Sequence, residues 1–217
     1  SRITHQKNTI FCCDATQAVG KIPVDVQQDG IDLMCLSAHK LYGPKGVGAL
    51  YVRRKNPRVA LEAIIHGGGH ERGWRSGTLN TPAIVGLGKA CEIISFNKNS
   101  EHLEEDLRNY FENSLIQKFP NMVVINGKNT KRLPNTSNIT FPFKAADFIR
   151  HTKGKLAIAT GSACTSSENL PSHVLTAMGL TKEQTEKSIR FSLGKHTTKA
   201  EINEVLVMIE SLISNYS

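Results

Sequence analysis

Aromatic residues are scarce in this chain, at 6% with a single Trp, and no apolar run approaches the roughly 20 residues that a membrane span needs. No membrane association is therefore expected. Cysteine is present but unpatterned: Cys12, Cys13, Cys35, Cys91 and Cys164 form no C-x-x-C pair and no regular spacing, which excludes a zinc framework and a disulfide scaffold. No metal site is expected. The opening residues Ser1 to Lys7 lack an apolar core, so a secretory signal is not expected, and the absence of an initial Met points to a piece of a longer protein. An odd cysteine count without such a signal favours a reducing compartment, the cytoplasm first, with an organelle matrix equally consistent. Proline and glycine are too few, at 8 and 17, and hydrophobic residues too many, at 39%, for a disordered chain.

The net charge of +8 comes from 27 Lys and Arg against 19 Asp and Glu. These cations are spread along the chain, and the two short clusters, Arg53-Arg54-Lys55 and Lys128 to Arg132, have no aromatics interleaved for base stacking. Direct nucleic-acid binding is not expected.

Short apolar runs at Thr9 to Cys13, Ile31 to Leu36 and Val47 to Val52 read as strands, with room for one short helix over Ala15 to Gly20. The first two end in polar residues, Asp14 and Ser37 to Lys40. That is the pattern of an α/β sheet whose ligand lies at the carboxyl ends of its strands. From Thr81 the apolar period becomes helical through Ile84, Leu87, Cys91 and Ile94, with Pro82 in the first turn. The polar stretch Asn97 to Ser100 then marks a boundary, dividing the chain into 1–97 and 98–217. A second helix runs from Ser100 to about Phe119. Beyond it, strands are expected at Val123 to Ile125, Thr136 to Phe141, Leu156 to Ala159 and Ile189 to Leu193. Helices are expected at Pro171 to Met178 and at the end, where Ile202, Val205, Leu206, Ile209, Leu212 and Ile213 share a stripe. The second part reads as a small α+β domain. Four cysteines, all but Cys164, fall in apolar segments and are expected to serve as small core residues.

Lys40 ends a strand and is followed by a Gly-Pro turn. Partial desolvation there suits an amine to Schiff-base chemistry, although a plain surface lysine fits the same residues. Asp14 ends the neighbouring strand, with Gln17 one turn on. A pyridoxal ring acts as an electron sink only while its ring nitrogen is protonated, and a nearby carboxylate enforces that. Aspartate also ends strands simply as a turn former. Together the two residues favour the cofactor reading.

Five strings carry a resemblance that extends from about residue 10 to the last helix. They are Asp14-Ala-Thr-Gln17-Ala-Val-Gly-Lys, Ser37-Ala-His-Lys40-Leu-Tyr-Gly-Pro-Lys-Gly, Gly67-Gly-Gly-His70-Glu-Arg72-Gly-Trp-Arg75-Ser-Gly-Thr78, Gly161-Ser-Ala-Cys164-Thr-Ser-Ser and Ile189-Arg190-Phe-Ser-Leu-Gly. In that order they resemble the pyridoxal-phosphate-dependent cysteine desulfurases of the class V aminotransferase type. The resemblance implies the C-terminal part of a fold-type I large domain over 1–97, with a mixed, mostly parallel sheet, and a small α+β domain over 98–217 that carries the cysteine loop.

It also implies roles. Lys40 would link to pyridoxal 5'-phosphate, Asp14 would hold the ring nitrogen, Gln17 the phenolic oxygen, and Ser37 with His39 the phosphate. Thr78 would reach a phosphate across a homodimer interface. Arg190 would bind the carboxylate of L-cysteine, and Cys164 would take its sulfur as a persulfide, leaving L-alanine. The implied partners are a sulfur acceptor or an iron–sulfur scaffold protein. The family pattern also has a segment before the Asp14 motif, with a histidine that stacks on the ring, and no counterpart of it is found here. Two alternatives share these residues: a selenocysteine lyase, and a non-catalytic fragment that serves as an interaction module.

Overall fold

The computed structural model describes residues 1–96, 100–158 and 172–216. The chain divides into two compact units, Ser1–Lys98 and Asn99–Ser217.

In the first unit, α1 (Arg2–Gln6) precedes a three-stranded mixed sheet of β1 (Cys12–Asp14), β2 (Leu33–Ser37) and β3 (Gly48–Val52), in that order. β1 and β2 are parallel, with Cys12 opposite Leu33 and Asp14 opposite Cys35, whereas β3 returns antiparallel. A parallel pair needs a crossover, and residues 15–32 supply it. The short helix expected over Ala15 to Gly20 is instead a run of turns. Val19 N–H donates to Ala15 O at 3.0 Å, and Gly20 then stops the spiral in the left-handed region at φ +77°. A side chain at Gly20 would meet Ile94 and Leu41 at about 3 Å, so the turn is also a point of close packing. The crossover buries Ala15, Ile31 and Met34 against Phe11, Val19, Val24 and Val26.

Asp32 is fully buried in this unit and is compensated as a buried charge must be. It accepts from Phe11 N–H at 2.9 Å and pairs with His5 Nε2 at 2.7 Å and Arg53 Nε at 3.0 Å. Burial would raise the Asp32 pKa, but the Phe11 amide, His5 and Arg53 outweigh it and hold the carboxyl below its ordinary range. Arg53 also donates to the backbone carbonyls of Val26 and Ile31, so this member of the basic cluster is an internal strut.

The helix α2 (Thr81–Phe96) buries Leu87 and Ala90 against Ala38 and Leu41. Close approach needs small residues: a Cβ on Gly86 would lie 2.9 Å from Pro44. In this way α2 anchors the segment that carries Lys40.

The second unit is a three-stranded antiparallel sheet of β4 (Val124–Ile125), β5 (Thr136–Thr140) and β6 (Ser188–Ser192), in that order. Period-2 alternation sends Ile139, Ile189 and Phe191 to the core side. That side packs on α3 (Ser100–Lys118), α4 (Ala145–His151) and α7 (Lys199–Ile213) through Phe111, Leu115, Phe148, Leu206 and Ile209. Five phenylalanines meet there, Phe141 and Phe143 stacked at 4.9 Å and Phe111 edge-on to Phe191 at 5.0 Å. A capping box starts α7, with Thr198 accepting from Glu201 N–H at 3.2 Å and Glu201 accepting from Thr198 N–H at 2.7 Å. The helices α5 (His173–Ala177) and α6 (Lys182–Glu186) complete the unit. Residues 156–158 form no strand, and Ala159 lies outside the described residues.

Ile139 sits in the middle strand at 0% exposure, so Ile139→Val removes one methylene from a closed site. The expected cost is about 1 kcal/mol, read from the denaturant midpoint with an unchanged slope.

Candidate active site

Because β1 and β2 are parallel, their carboxyl ends open on one edge of the sheet. Asp14 closes β1 and Ser37 closes β2, tied by a 3.0 Å bond from Ala15 N–H to Cys35 O. The chain then enters a single 3-10 turn, Ala38–Leu41, which ends at Tyr42 in the left-handed region at φ +61°. Ala38 and Leu41 are buried and pin the turn from beneath, so His39 and Lys40 project outward and are exposed. Sequence alternation of small, polar and apolar residues thus becomes a presented amine on a fixed base.

The side chains on this edge are partly organised. Ser37 Oγ and His39 Nδ1 are 2.8 Å apart. Asp14 Oδ1 accepts from Thr16 N–H at 2.9 Å, and hydrogen bonding from Thr16, assisted by the Cys35 thiol, holds the Asp14 carboxyl below its ordinary range despite some desolvation. Gln17 Oε1 accepts from Lys21 Nζ at 2.7 Å. Among the described residues no hydrogen bond or ion pair engages the Lys40 amine. An ionised carboxylate, an unengaged amine and a hydroxyl–imidazole pair on one edge fit pyridoxal 5'-phosphate, which needs an anion at its ring nitrogen, an amine for its aldehyde and donors for its phosphate.

Of the other three residues expected in the site, one belongs to the first unit, one to the second and one lies outside the described residues. Thr78 is exposed in the loop after Gly77, and among the described residues no hydrogen bond links it to Asp14, Ser37, His39 or Lys40. Arg190 belongs to the second unit, exposed at the centre of β6 and opposite Asn138 on β5. Its sheet side is polar: Asn126 Nδ2 donates to Asn138 Oδ1 at 2.6 Å and to Thr140 Oγ1 at 2.9 Å, and Thr140 Oγ1 lies 2.8 Å from Ser188 Oγ. Cys164 lies outside the described residues.

The cysteine reading needs correction. Cys13, half-buried, packs against the cluster of Ala15, Ile31 and Met34 as expected, whereas Cys12 and Cys91 are exposed and Cys35 is only half-buried. Cys12 and Cys35 share the side of the first sheet opposite Met34, which the crossover leaves uncovered. Cys35 and Thr16 were not legible as site residues. Thr16 had a signal, since Asp-x-Thr is an Asx-turn pattern, but Cys35 becomes visible only through the strand register. Among the described residues no group of three or more His, Cys, Asp or Glu is placed to hold a metal, and no helix is long and apolar enough to cross a membrane.

Residues 1–205 match the family model for aminotransferase class-V. The chain belongs to the class V aminotransferases. Members of that family depend on pyridoxal phosphate. Among the relatives of this class V aminotransferase, a cysteine desulfurase IscS of Anaeromyxobacter dehalogenans is 45% identical over 207 residues, covering 93% of this chain and 50% of that protein. Another, from Mannheimia succiniciproducens, is 46% identical and covers 98% and 52%. The fold agrees: a NifS-like protein from Rickettsia africae superposes with a TM-score of 0.86 at 31% identity, covering 98% of this chain and 56% of that one. A structure described as SspA in complex with cysteine gives 0.67 at 36% identity, over 91% and 54%. The expected α/β fold and the resemblance to cysteine desulfurases are both borne out. The chain spans about half the length of the curated relatives it matches.

Proposed function

We propose that this chain is the cofactor-linking and sulfur-accepting part of a cysteine desulfurase, which converts L-cysteine to L-alanine and keeps the sulfur as a persulfide. The observation that carries the reading is the shared edge of β1 and β2, where Asp14, Ser37, His39 and Lys40 stand together. In this reading the first unit holds the cofactor through these residues and Gln17, with Thr78 serving the site of a second copy in a homodimer. The second unit supplies Arg190 for the substrate carboxylate and Cys164 for the sulfur.

When bound, the cofactor supplies an electron sink for the substrate's α-carbon. The chain's own residues do the rest. Lys40 Nζ, engaged by no described residue at the sheet edge, takes the Cα proton. Arg190 offers a planar two-pronged donor to the carboxylate, and the uncharged Asn138 beside it leaves that fork free. The Cys164 thiolate attacks the substrate sulfur. An S–S bond forms, the Cβ–S bond breaks with its electron pair left on carbon, and protonation of that carbon yields alanine. The persulfide then passes to a sulfur acceptor or an iron–sulfur scaffold protein in a reducing compartment, for iron–sulfur clusters or another sulfur-containing cofactor.

The test incubates the pyridoxal-phosphate-loaded chain with L-cysteine, quantifies alanine and labels persulfide with a thiol-blocking reagent followed by mass spectrometry. The expected result is an added sulfur on Cys164, with alanine formation and label both lost in Cys164→Ser. Equal alanine from the variant would remove Cys164 from the reaction, and no alanine from the parent chain would overturn the desulfurase reading for these residues.

A further inference from the structure

The outer side of the second unit's sheet carries a chain of hydrogen bonds that runs in one direction. It ends on a group that can only accept. Ser188 Oγ donates to the carbonyl oxygen of Gln184 at 2.7 Å, which commits the one proton of that hydroxyl and leaves its oxygen to accept. Thr140 Oγ1, 2.8 Å away, must then donate to Ser188. With the Thr140 proton committed in turn, Thr140 Oγ1 accepts from Asn126 Nδ2 at 2.9 Å, and a longer approach of the same nitrogen to Ser188 Oγ, 3.3 Å, asks for the same orientation. The reverse bond, from Thr140 to Asn126 Oδ1, is too long at 3.4 Å to compete. Asn126 is buried, so its amide cannot turn to water, and its remaining N–H goes to Asn138 Oδ1 at 2.6 Å.

The direction set at Gln184 is thus handed on to Asn138. Its oxygen is spent on Asn126, so its NH2 group is what it has left to offer, and no described residue engages that group. Arg190 stands directly opposite Asn138 on the neighbouring strand and on the same side of the sheet, where such pairs lie about 5 Å apart. Its guanidinium carries donors only and is likewise engaged by no described residue. A reversed Asn138 amide would present its oxygen to that guanidinium and occupy it. The orientation observed leaves two sets of donors side by side, and one negatively charged acceptor with two oxygens satisfies both.

We infer that Asn138 is a second carboxylate-binding residue beside Arg190, and that Asn126 is the positioning residue that keeps the Asn138 donors turned to the ligand. The inference deepens the reading of Arg190 as the holder of the substrate carboxylate and rests on it.

The experiment has two arms on the full chain, using the parent, Asn138→Leu, Asn138→Asp and Arg190→Gln. In the first, without cofactor, L-alanine is the carboxylate probe, and the side-chain signals of Asn138 and Arg190 are followed by nitrogen-15 NMR. Both are expected to move saturably with L-alanine and to ignore L-alaninol, which has a hydroxymethyl group in place of the carboxylate. In the second, alanine formation from L-cysteine is measured with pyridoxal phosphate present. Asn138→Leu is expected to raise KM about three- to tenfold, the effect of one lost hydrogen bond, and the loss falls on KM rather than kcat because the carboxylate is held alike before and during the reaction. Asn138→Asp keeps the shape, so the sheet is retained, but sets an acceptor opposite Arg190 and is expected to raise KM further. An Asn138 signal that stays still while Arg190 responds to L-alanine overturns the proposal, and so does a KM raised in Arg190→Gln but unchanged in both Asn138 variants. Arg190 unresponsive to L-alanine, or a KM unchanged in Arg190→Gln, overturns the reading of Arg190 beneath it. No alanine from the parent overturns the desulfurase reading instead, while the first arm still decides whether Asn138 meets a carboxylate.

Discussion

Lys40→Ala is expected to abolish the visible absorption band that the chain develops with added pyridoxal phosphate, while leaving the far-ultraviolet spectrum and the unfolding midpoint of the protein unchanged. The large functional effect follows from the covalent role proposed for this amine, which the 3-10 turn after β2 presents at the shared edge of β1 and β2. The small structural effect follows from its surroundings. Ala38 and Leu41 are buried beneath it and hold the 3-10 turn against α2, whereas Lys40 itself is exposed and held by no described residue. Replacing an exposed, unengaged side chain alters stability by no more than about 0.5 kcal/mol. Titration with pyridoxal phosphate, read near 400 nm (about the wavelength of conjugated imines of this cofactor), checks it. A band that survives in Lys40→Ala would move the covalent link to another amine.

Glu112→Ala is expected to destabilise the second unit by about 3 kcal/mol and to flatten its dependence on acid. Glu112 is buried on α3, where Arg132 grips both carboxylate oxygens at 2.7 and 3.0 Å and Ser137 of β5 donates at 2.6 Å. Deleting one member of such a buried set leaves the others charged or unsatisfied, and that penalty exceeds the worth of the contact itself. Burial would push the Glu112 carboxyl up, but Arg132, Ser137 and the nearby Arg108 outweigh it and hold the carboxyl low. A carboxyl lowered by folding contributes stability that is complete above its unfolded value, about 4.3 for Glu, and that is lost as the pH falls through the lower folded value. Parent and variant unfolding curves should therefore differ most at neutral pH and converge below about pH 4. Denaturant unfolding at several pH values measures this, and a constant difference down to pH 3 would show that the carboxylate charge contributes nothing.

How much was legible in the sequence depended on whether the information was local. The edge with Asp14 and Lys40 was legible because each residue ends its own apolar run, and a strand followed by a polar stop is a local pattern. The helix over Thr81–Phe96 and the last helix were legible for the same reason, through their 3.6-residue period. The short helix α6 was not, because Lys182–Glu186 has no apolar stripe; it is fixed by a capping box between Thr181 and Gln184. Cys12 and Cys35 were misread because apolar neighbours in sequence do not say which side of a strand is covered. Met34 and Cys35 are adjacent, yet one is buried and the other only partly so. The closeness of Cys35 to Asp14 is a matter of register between strands some twenty residues apart, which no local pattern carries.

Consider last the outer side of the second unit's sheet, where Thr136, Asn138, Thr140, Arg190 and Ser192 stand in rows. Water wets such a floor readily, so two copies gain little by stacking these sheets face to face, and the unit carries its own protection against clumping. The same wetness serves a guanidinium. Arg190 stands among amides and hydroxyls that ask it to give up no hydration while it waits, and shedding water falls due only when an anion arrives to replace it.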